Sequence, residues 1–245
     1  MRDNSLVESL VLEMEGRSII CSIRKNLRAR RISVRIVSNA EVVLTVPSRG
    51  SVRKAKDFLQ SKIAWISRKT LEYPNKIKLG KYLSENRTVW LDERRRWLSW
   101  TFSNNRKRTF YQVECDQIKI SFPEVADEEC ILLKFLMQLA RIYLPIRLEA
   151  CAKKVGVHFQ GARIGNQKSR WGSCSSRRVI SLNWRILLLD HNLGEYVLYH
   201  ELAHLKHMNH SIHYWQLLEE WVPGARKFDQ ELNRQGRRLM LLGES

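Results

Sequence analysis

Alternation of apolar and polar residues predicts strands in the first part of the chain. Every second position is apolar over residues 31–36, and residues 42–46 form a second run rich in β-branched side chains. A period of two is typical of half-buried strands, so we predict strands within residues 17–47. Over residues 51–71 the apolar positions take helical spacing, with Ser51 as the N-cap. Four short β-like segments between residues 88 and 122 then indicate a small antiparallel sheet.

The second half of the chain is predicted to be mainly helical. A long helix with an apolar stripe covers residues 127–154, and Pro145 should kink or interrupt it. The other predicted elements are strands at 157–164 and 179–184, a helix from about Leu193 with Asn192 as its cap, a helix capped by Ser211, and a helix over 225–241.

This order of elements predicts an α+β fold with two regions. Residues 1–125 form a basic, β-rich region with one helix. Residues 126–245 form a compact domain in which helices lie beside a small antiparallel sheet. With 245 residues, of which 44% are hydrophobic, the chain is long enough to bury a sizeable core.

The formal net charge of +18 points to an acidic partner. Residues 1–125 hold 26 basic and 13 acidic side chains, so most of the excess lies in the first region. One basic cluster lies between Arg28 and Arg35. Nucleic acid is therefore a possible partner of this basic half.

Two function classes are excluded by composition. The most apolar stretch, residues 130–148, is broken by Lys134, Arg141 and Arg147, so no membrane span is expected. The five cysteines contain no CxxC pair, which argues against a disulfide framework or a cysteine-rich zinc site. Because the N-terminus also lacks an export pattern, we expect a cytoplasmic protein.

The histidines carry the clearest chemical signal. Five of the seven lie between His200 and His213, and His200–Glu201–Leu202–Ala203–His204 is an HExxH sequence. On a helix, positions i and i+4 share one face, so both imidazoles could bind one Zn²⁺. Glu201 could then accept a proton from a metal-activated water and deliver it to the leaving amine. The alternative is a plain amphipathic helix whose histidines do not bind a metal.

A catalytic zinc needs a third protein ligand and one open position. His210 has the spacing of the third ligand in the extended HExxHxxGxxH pattern, provided that the chain turns back near Met208–Asn209. His207 stands where that pattern has glycine, and on an unbroken helix it would lie about 10.5 Å along the axis from His200. His210 is therefore the preferred third ligand, whereas His207 and His213 are expected to be solvated or to lie outside the ligand shell.

Several segments around these histidines resemble the YgjP-like zinc metallopeptidases, which are related to the SprT and WLM groups. The resemblance rests on Ser169–Cys174 (SRWGSC), Ile180–Arg185 (ISLNWR), Tyr196–Leu205 (YVLYHELAHL) and Asn209–Ser211 (NHS). The segment Arg28–Arg35 also resembles the start of these proteins, whereas residues 74–125 match poorly. It implies a zincin-like metallopeptidase domain over residues 126–245. It also implies zinc held by His200, His204 and His210, with Glu201 as the general base.

The segment Trp171–Gly172–Ser173–Cys174 is a candidate substrate-binding strand. Gly172 allows close approach of a backbone, and an accessible edge strand could add an extended polypeptide through main-chain hydrogen bonds. The alternative is a tight turn packed by Trp171, with Cys174 as a small buried residue. A nucleophilic role for Cys174 is disfavoured, because the histidines are better explained as metal ligands.

Two further side chains have competing interpretations. Arg185 either steadies a loop carbonyl or an acidic group, or is solvated, and the solvated arginine is the preferred reading. Tyr214 could donate a hydrogen bond to an oxyanion if the chain folds back towards the metal.

The function favoured by these observations is a zinc-dependent peptidase that acts on polypeptides. The alternatives are a nucleic-acid-binding protein with a structural metal, and a protease recruited to nucleic acid.

Overall fold

The computed structural model describes residues 4–73, 77–104, 108–124 and 127–243. Over these residues the chain contains seven α-helices, one short 3-10 helix and eleven strands in three small sheets. The predicted α+β class is therefore confirmed. The chain divides into two units, Met1–Lys76 and Ile77–Ser245.

The first unit is a four-stranded sheet covered by two helices. Its elements are β1 (Asn4–Met14), β2 (Arg17–Asn26), β3 (Ser33–Ser38), β4 (Glu41–Pro47), α1 (Val52–Ser61) and α2 (Ile63–Leu71). The strand order is β1-β2-β4-β3, in which β2 and β4 are parallel and the outer pairs are antiparallel. Ile19, Ile23, Leu44, Leu59 and Ile66 form the centre of its core.

The sequence predicted β3, β4 and the capped start of α1. Ser51 Oγ accepts a hydrogen bond from the Lys54 amide at 3.4 Å, which confirms the cap. The single helix predicted over 51–71 is instead divided at Lys62, whose ψ of 1° lies outside the helical range. Strand β1 was not predicted, because Val7 and Val11 are exposed and its apolar residues do not alternate cleanly.

The second unit contains the remaining elements around one core. They are α3 (Leu79–Asn86), β5 (Thr88–Trp90), β6 (Arg95–Ser103), β7 (Phe110–Val113), β8 (Gln117–Pro123), α4 (Glu128–Lys154), β9 (Gly161–Gly165), β10 (Gly172–Cys174), β11 (Val179–Asn183), the 3-10 helix Trp184–Leu188, α5 (His191–Ala203), α6 (Ile212–Trp221) and α7 (Ala225–Met240). Buried residues of α4 and α5 and of both sheets belong to one continuous apolar cluster.

Both sheets of this unit are mixed, although antiparallel sheets were predicted. In the sheet β5-β6-β8-β7, β8 lies between β6 and β7, so the neighbours β6 and β8 run parallel. In the sheet β10-β11-β9, β11 is antiparallel to β10 and parallel to β9. A series of sequential hairpins would have given only antiparallel pairs, but in each sheet one strand pairs with a strand that is not its neighbour in sequence.

The observed division of the chain differs from the predicted boundary at residue 125. That boundary falls between β8 and α4, and hydrogen bonds cross it. Glu129 of α4 accepts from the amides of Leu79 and Gly80 at 2.7 and 2.8 Å, which satisfies free donors at the start of α3. Arg147 of α4 donates to the Trp90 carbonyl at 3.3 Å. Residues 77–124 are therefore part of the unit that contains the histidines.

Two expectations about helices can be compared directly with the fold. Helix α4 continues through Pro145 without interruption. No helix in the described ranges is long and apolar enough to cross a membrane.

Candidate metal centre

Helix α5 carries the HExxH sequence and begins two residues earlier than predicted. Asp190, rather than Asn192, is its N-cap, and the Asp190 side chain accepts from the Leu193 amide at 2.9 Å. The helix buries Val197, Leu198 and Leu202. It ends at Ala203, but His204 keeps right-handed helical angles as the C-cap. The face that carries His200 therefore extends to His204.

Three imidazoles converge beside this helix end. One ring nitrogen from each of His200, His204 and His210 lies within 4.8 Å of the other two. The Nε2 atoms of His200 and His210 are 3.2 Å apart. Two nitrogens bound tetrahedrally at about 2.0–2.1 Å from zinc would be separated by roughly 3.3 Å. The donor set and its spacing therefore fit a single metal ion.

Hydrogen bonds at Nδ1 make the Nε2 atoms of two histidines available as metal ligands. His204 Nδ1 lies 3.0 Å from the His207 carbonyl, which can only accept, so Nδ1 carries the proton. The Tyr196 hydroxyl donates to Asp229 Oδ1 at 3.1 Å and contacts His200 Nδ1 at 3.3 Å. Since the hydroxyl proton is used on Asp229, the oxygen accepts from His200 Nδ1. Such partners fix the tautomer and the ring orientation of metal-binding histidines.

Burial keeps His200 and His204 in the neutral form that binds metals. Burial, together with the neighbouring rings of His204 and His210, lowers the pKa of His200 to about 3. Burial also lowers the pKa of His204. Neutral imidazole is the ligand form, so these rings do not have to release a proton before a cation binds at neutral pH.

Glu201 lies buried against the strand β10. The residue is 4% exposed, and burial raises its pKa to about 8, an effect that Arg170 partly opposes. Its Oε2 atom has no hydrogen-bond partner within the described part of the chain. A Cβ atom added to Gly172 would lie 2.5 Å from Glu201 Oε1, so only glycine fits beneath this carboxylate.

A cleft of about 390 Å³ joins the imidazoles to the predicted substrate-binding segment. Trp171, Gly172, Ser173 and Cys174 all line it, as do His200, Glu201, His204 and His210. Residues 172–174 form β10, one of the two edge strands of its sheet. The position of Trp171 depends on helix α7, where a Cβ atom on Gly236 would lie 3.0 Å from the indole ring.

The other candidate residues do not join the cluster of ligand atoms. The rings of His207 and His213 lie 6.2 Å from each other and are not part of the cluster. Burial raises the pKa of the Cys174 thiol, and the Glu201 charge raises it further, which disfavours a thiolate nucleophile. The turn towards His210 does not use a left-handed conformation at Asn209.

The structure tests the interpretations that the sequence allowed for Arg185 and for Tyr214. Arg185 is fully buried and donates to the carbonyls of Leu242 and Gln167, so the loop-carbonyl interpretation is correct and the solvated one is wrong. The Tyr214 hydroxyl donates to the His200 carbonyl at 3.1 Å and its ring stacks on His204. Tyr214 therefore contacts both His200 and His204, and its hydroxyl proton is not directed at an oxyanion.

Sequence reasoning missed the residues that support His200. Tyr196 lies one turn before His200, and this i, i+4 spacing was the available signal. Asp229 and Asn233 are on α7, where Asn233 donates to Asp229 Oδ2 at 3.1 Å. Both residues are far from the HExxH sequence along the chain, so no local pattern indicated that they support His200.

Replacing Tyr196 by phenylalanine should weaken metal binding while leaving the fold intact. The variant Tyr196→Phe removes the oxygen that orients His200, and loss of such a partner typically lowers metal affinity by about 10- to 100-fold. Competition with a chromophoric chelator measures this affinity. Tyr199→Phe, on the same helix but beside Cys151, is the matched control and should bind as wild type does. Equal affinities for all three proteins would contradict the orienting role of Tyr196.

A mixed α+β unit with three converging imidazoles and a buried carboxylate in one cleft has the residue types of a metal-dependent hydrolase. The model of the YgjP-like metallopeptidase domain matches residues 30–235 of the chain. The protein therefore belongs to the YgjP-like metallopeptidase family, a group of metal-dependent peptidases.

Two other comparisons add context. The metallopeptidase zymogen abylysin of Pyrococcus abyssi is a solved structure with 30% sequence identity and a TM-score of 0.34, and the match covers 37% of this chain and 93% of that chain. The comparison with curated proteins gives no match.

Proposed function

We propose that the protein is a zinc-dependent peptidase with a zincin-like site that cleaves polypeptides by general-base catalysis. His200, His204 and His210 would hold the ion, and Glu201 would be the catalytic base. The observation that carries this proposal is the convergence of three ligand atoms within 4.8 Å in a cleft that also contains a buried carboxylate. Three imidazoles suit Zn²⁺, and three protein ligands leave the fourth position for water or substrate.

The number of protein ligands also argues against a metal ion with a purely structural role. Structural zinc sites are usually closed by four cysteine or histidine ligands. The cluster found in the described residues has three members, and the cleft opens onto it. The geometry therefore favours a catalytic metal site over a structural metal site in a nucleic-acid-binding protein.

The proposed reaction divides the work between the ion and Glu201. A bound zinc supplies the Lewis acidity that activates water and polarises a carbonyl group. The Glu201 carboxylate accepts the proton of the attacking water and transfers it to the nitrogen of the departing amine. Tyr196 and the His207 carbonyl hold His200 and His204 in orientation during these steps.

The substrate would lie extended along β10. One side of this strand pairs with β11, and the sheet order leaves the other side at an edge. Main-chain groups on that free side can pair with an added strand, which recognises a polypeptide without requiring particular side chains. Since residues 172–174 also line the cleft, such a strand would pass next to Glu201.

Removal of the metal should abolish peptide cleavage, and zinc should restore it. We expect the protein stripped with a chelator to cleave labelled, denatured casein at the background rate, since water and carbonyl are then no longer activated. One equivalent of Zn²⁺ should return the activity, measured as release of small labelled peptides. Cleavage that continues in the stripped protein, with metal content verified by elemental analysis, would refute the proposal.

A further inference from the structure

Charge in the first unit is concentrated by the sheet topology. Residues 1–76 carry 16 basic and 7 acidic side chains, a net charge of +9. Because β2 and β4 are parallel and β3 is antiparallel to β4, β2 and β4 end where β3 begins, with Asn26 opposite Pro47 and Ser33 opposite Thr45. The β2–β3 loop and the start of α1 therefore lie at the same end of the sheet.

Nine basic side chains lie at this end of the unit or along the adjoining part of β3, and we call this surface the arginine-rich end. They are Arg24, Lys25, Arg28, Arg30, Arg31, Arg35, Arg49, Arg53 and Lys54, of which Arg35 lies within β3, opposite Val43 of β4. All except Arg24 and Lys25 are exposed. Within the described ranges none of the nine forms an ion pair, and the adjacent acid Glu8 is paired with Lys56 at 2.8 Å.

The acidic residues of the sheet lie mainly at the opposite end. Glu13 lies next to the turn between β1 and β2, Glu15 lies within it, and Glu41 begins β4 opposite Ile20. Apart from Arg17, which begins β2 opposite Met14, the two ends of the sheet separate basic from acidic side chains, a polarity that the sequence alone does not reveal. Exposed like charges at one end repel each other, so this surface favours a polyanionic partner.

We propose that the arginine-rich end binds the phosphate backbone of a nucleic acid. Seven of its nine basic residues are arginines, whose planar guanidinium groups match phosphate oxygens in a bidentate geometry that lysine does not provide. The exposed residues extend from a loop across a strand to a helix start, and such a surface can contact several successive phosphates. This role is independent of the peptidase chemistry, because the metal centre belongs to the other unit.

The salt dependence of binding tests this proposal on the full chain. Fluorescence anisotropy with labelled single-stranded DNA, duplex DNA and RNA measures affinity at several salt concentrations. The variant Arg28→Ala/Arg30→Ala/Arg31→Ala removes three phosphate partners. Its slope of log K against log salt should be shallower by about 2 to 3, and its affinity should fall about tenfold or more at moderate salt.

A charge-matched variant separates a specific surface from overall charge. Lys62→Ala/Arg68→Ala/Arg141→Ala removes three exposed basic groups outside the arginine-rich end and should change the slope much less. A thermal melt of each variant verifies folding, and anionic lipid vesicles serve as a second polyanion. Equal effects of the two triple variants, no binding to any of the three nucleic acids, or binding to vesicles alone would overturn the proposal.

Discussion

Replacement of Glu201 by glutamine should nearly abolish peptide cleavage without releasing the metal. Glutamine has almost the same shape, so it still fits above Gly172, but it cannot accept a proton from water. Loss of a general base typically reduces kcat by about 10²- to 10⁴-fold. The measurement is kcat on denatured casein together with zinc content, which should remain at one ion per chain.

The control for this variant lies on the same helix. Glu195→Gln changes a half-buried carboxylate that pairs with Lys154 and His191, away from the cleft. It should cleave at close to the wild-type rate. If Glu201→Gln retains full activity, or if it loses its zinc, the assignment of Glu201 as the base is wrong.

Replacement of His210 by alanine should remove most of the metal affinity. His210 supplies the only one of the three imidazoles that lies outside the HExxH sequence, and its side chain is exposed, so the fold should tolerate its loss. We expect zinc affinity to fall by more than the roughly 10- to 100-fold typical of losing an outer partner of a ligand. Chelator competition measures the affinity, and cleavage should fall in parallel.

His213→Ala is the matched control, since it removes an exposed imidazole only three residues away. Its affinity should equal that of the wild type. An unchanged affinity in His210→Ala, or a larger loss in His213→Ala, would show that the third ligand had been chosen wrongly.

Local patterns in the sequence predicted the parts of the site that depend on local geometry. The i, i+4 spacing of His200 and His204 places both rings on one face of α5, and the helix end brings His210 within reach of them. An accessible edge strand was one of the two interpretations of the segment around Gly172, and β10 lies at an edge of its sheet. These features depend mainly on residues that are close together in the sequence.

The features that were missed depend on such distant contacts. The hydrogen bonds from Leu79 and Gly80 to Glu129 join segments about 50 residues apart, and they place the boundary between the units before α3. The direction of a side chain is also decided by the whole core. Arg185 is buried and donates to carbonyl groups that it reaches only in the folded chain. The Tyr214 hydroxyl donates to the His200 carbonyl.

The contact between Gly172 and Glu201 ties two parts of the molecule together. The carboxylate rests against the main chain of β10, so the sheet, as well as α5, determines how far it reaches into the cleft. In the proposed complex the same strand holds the polypeptide. Attempts to redesign specificity by enlarging the residue at this position would therefore misplace the base, and new substrate preferences would have to be introduced elsewhere along the cleft wall.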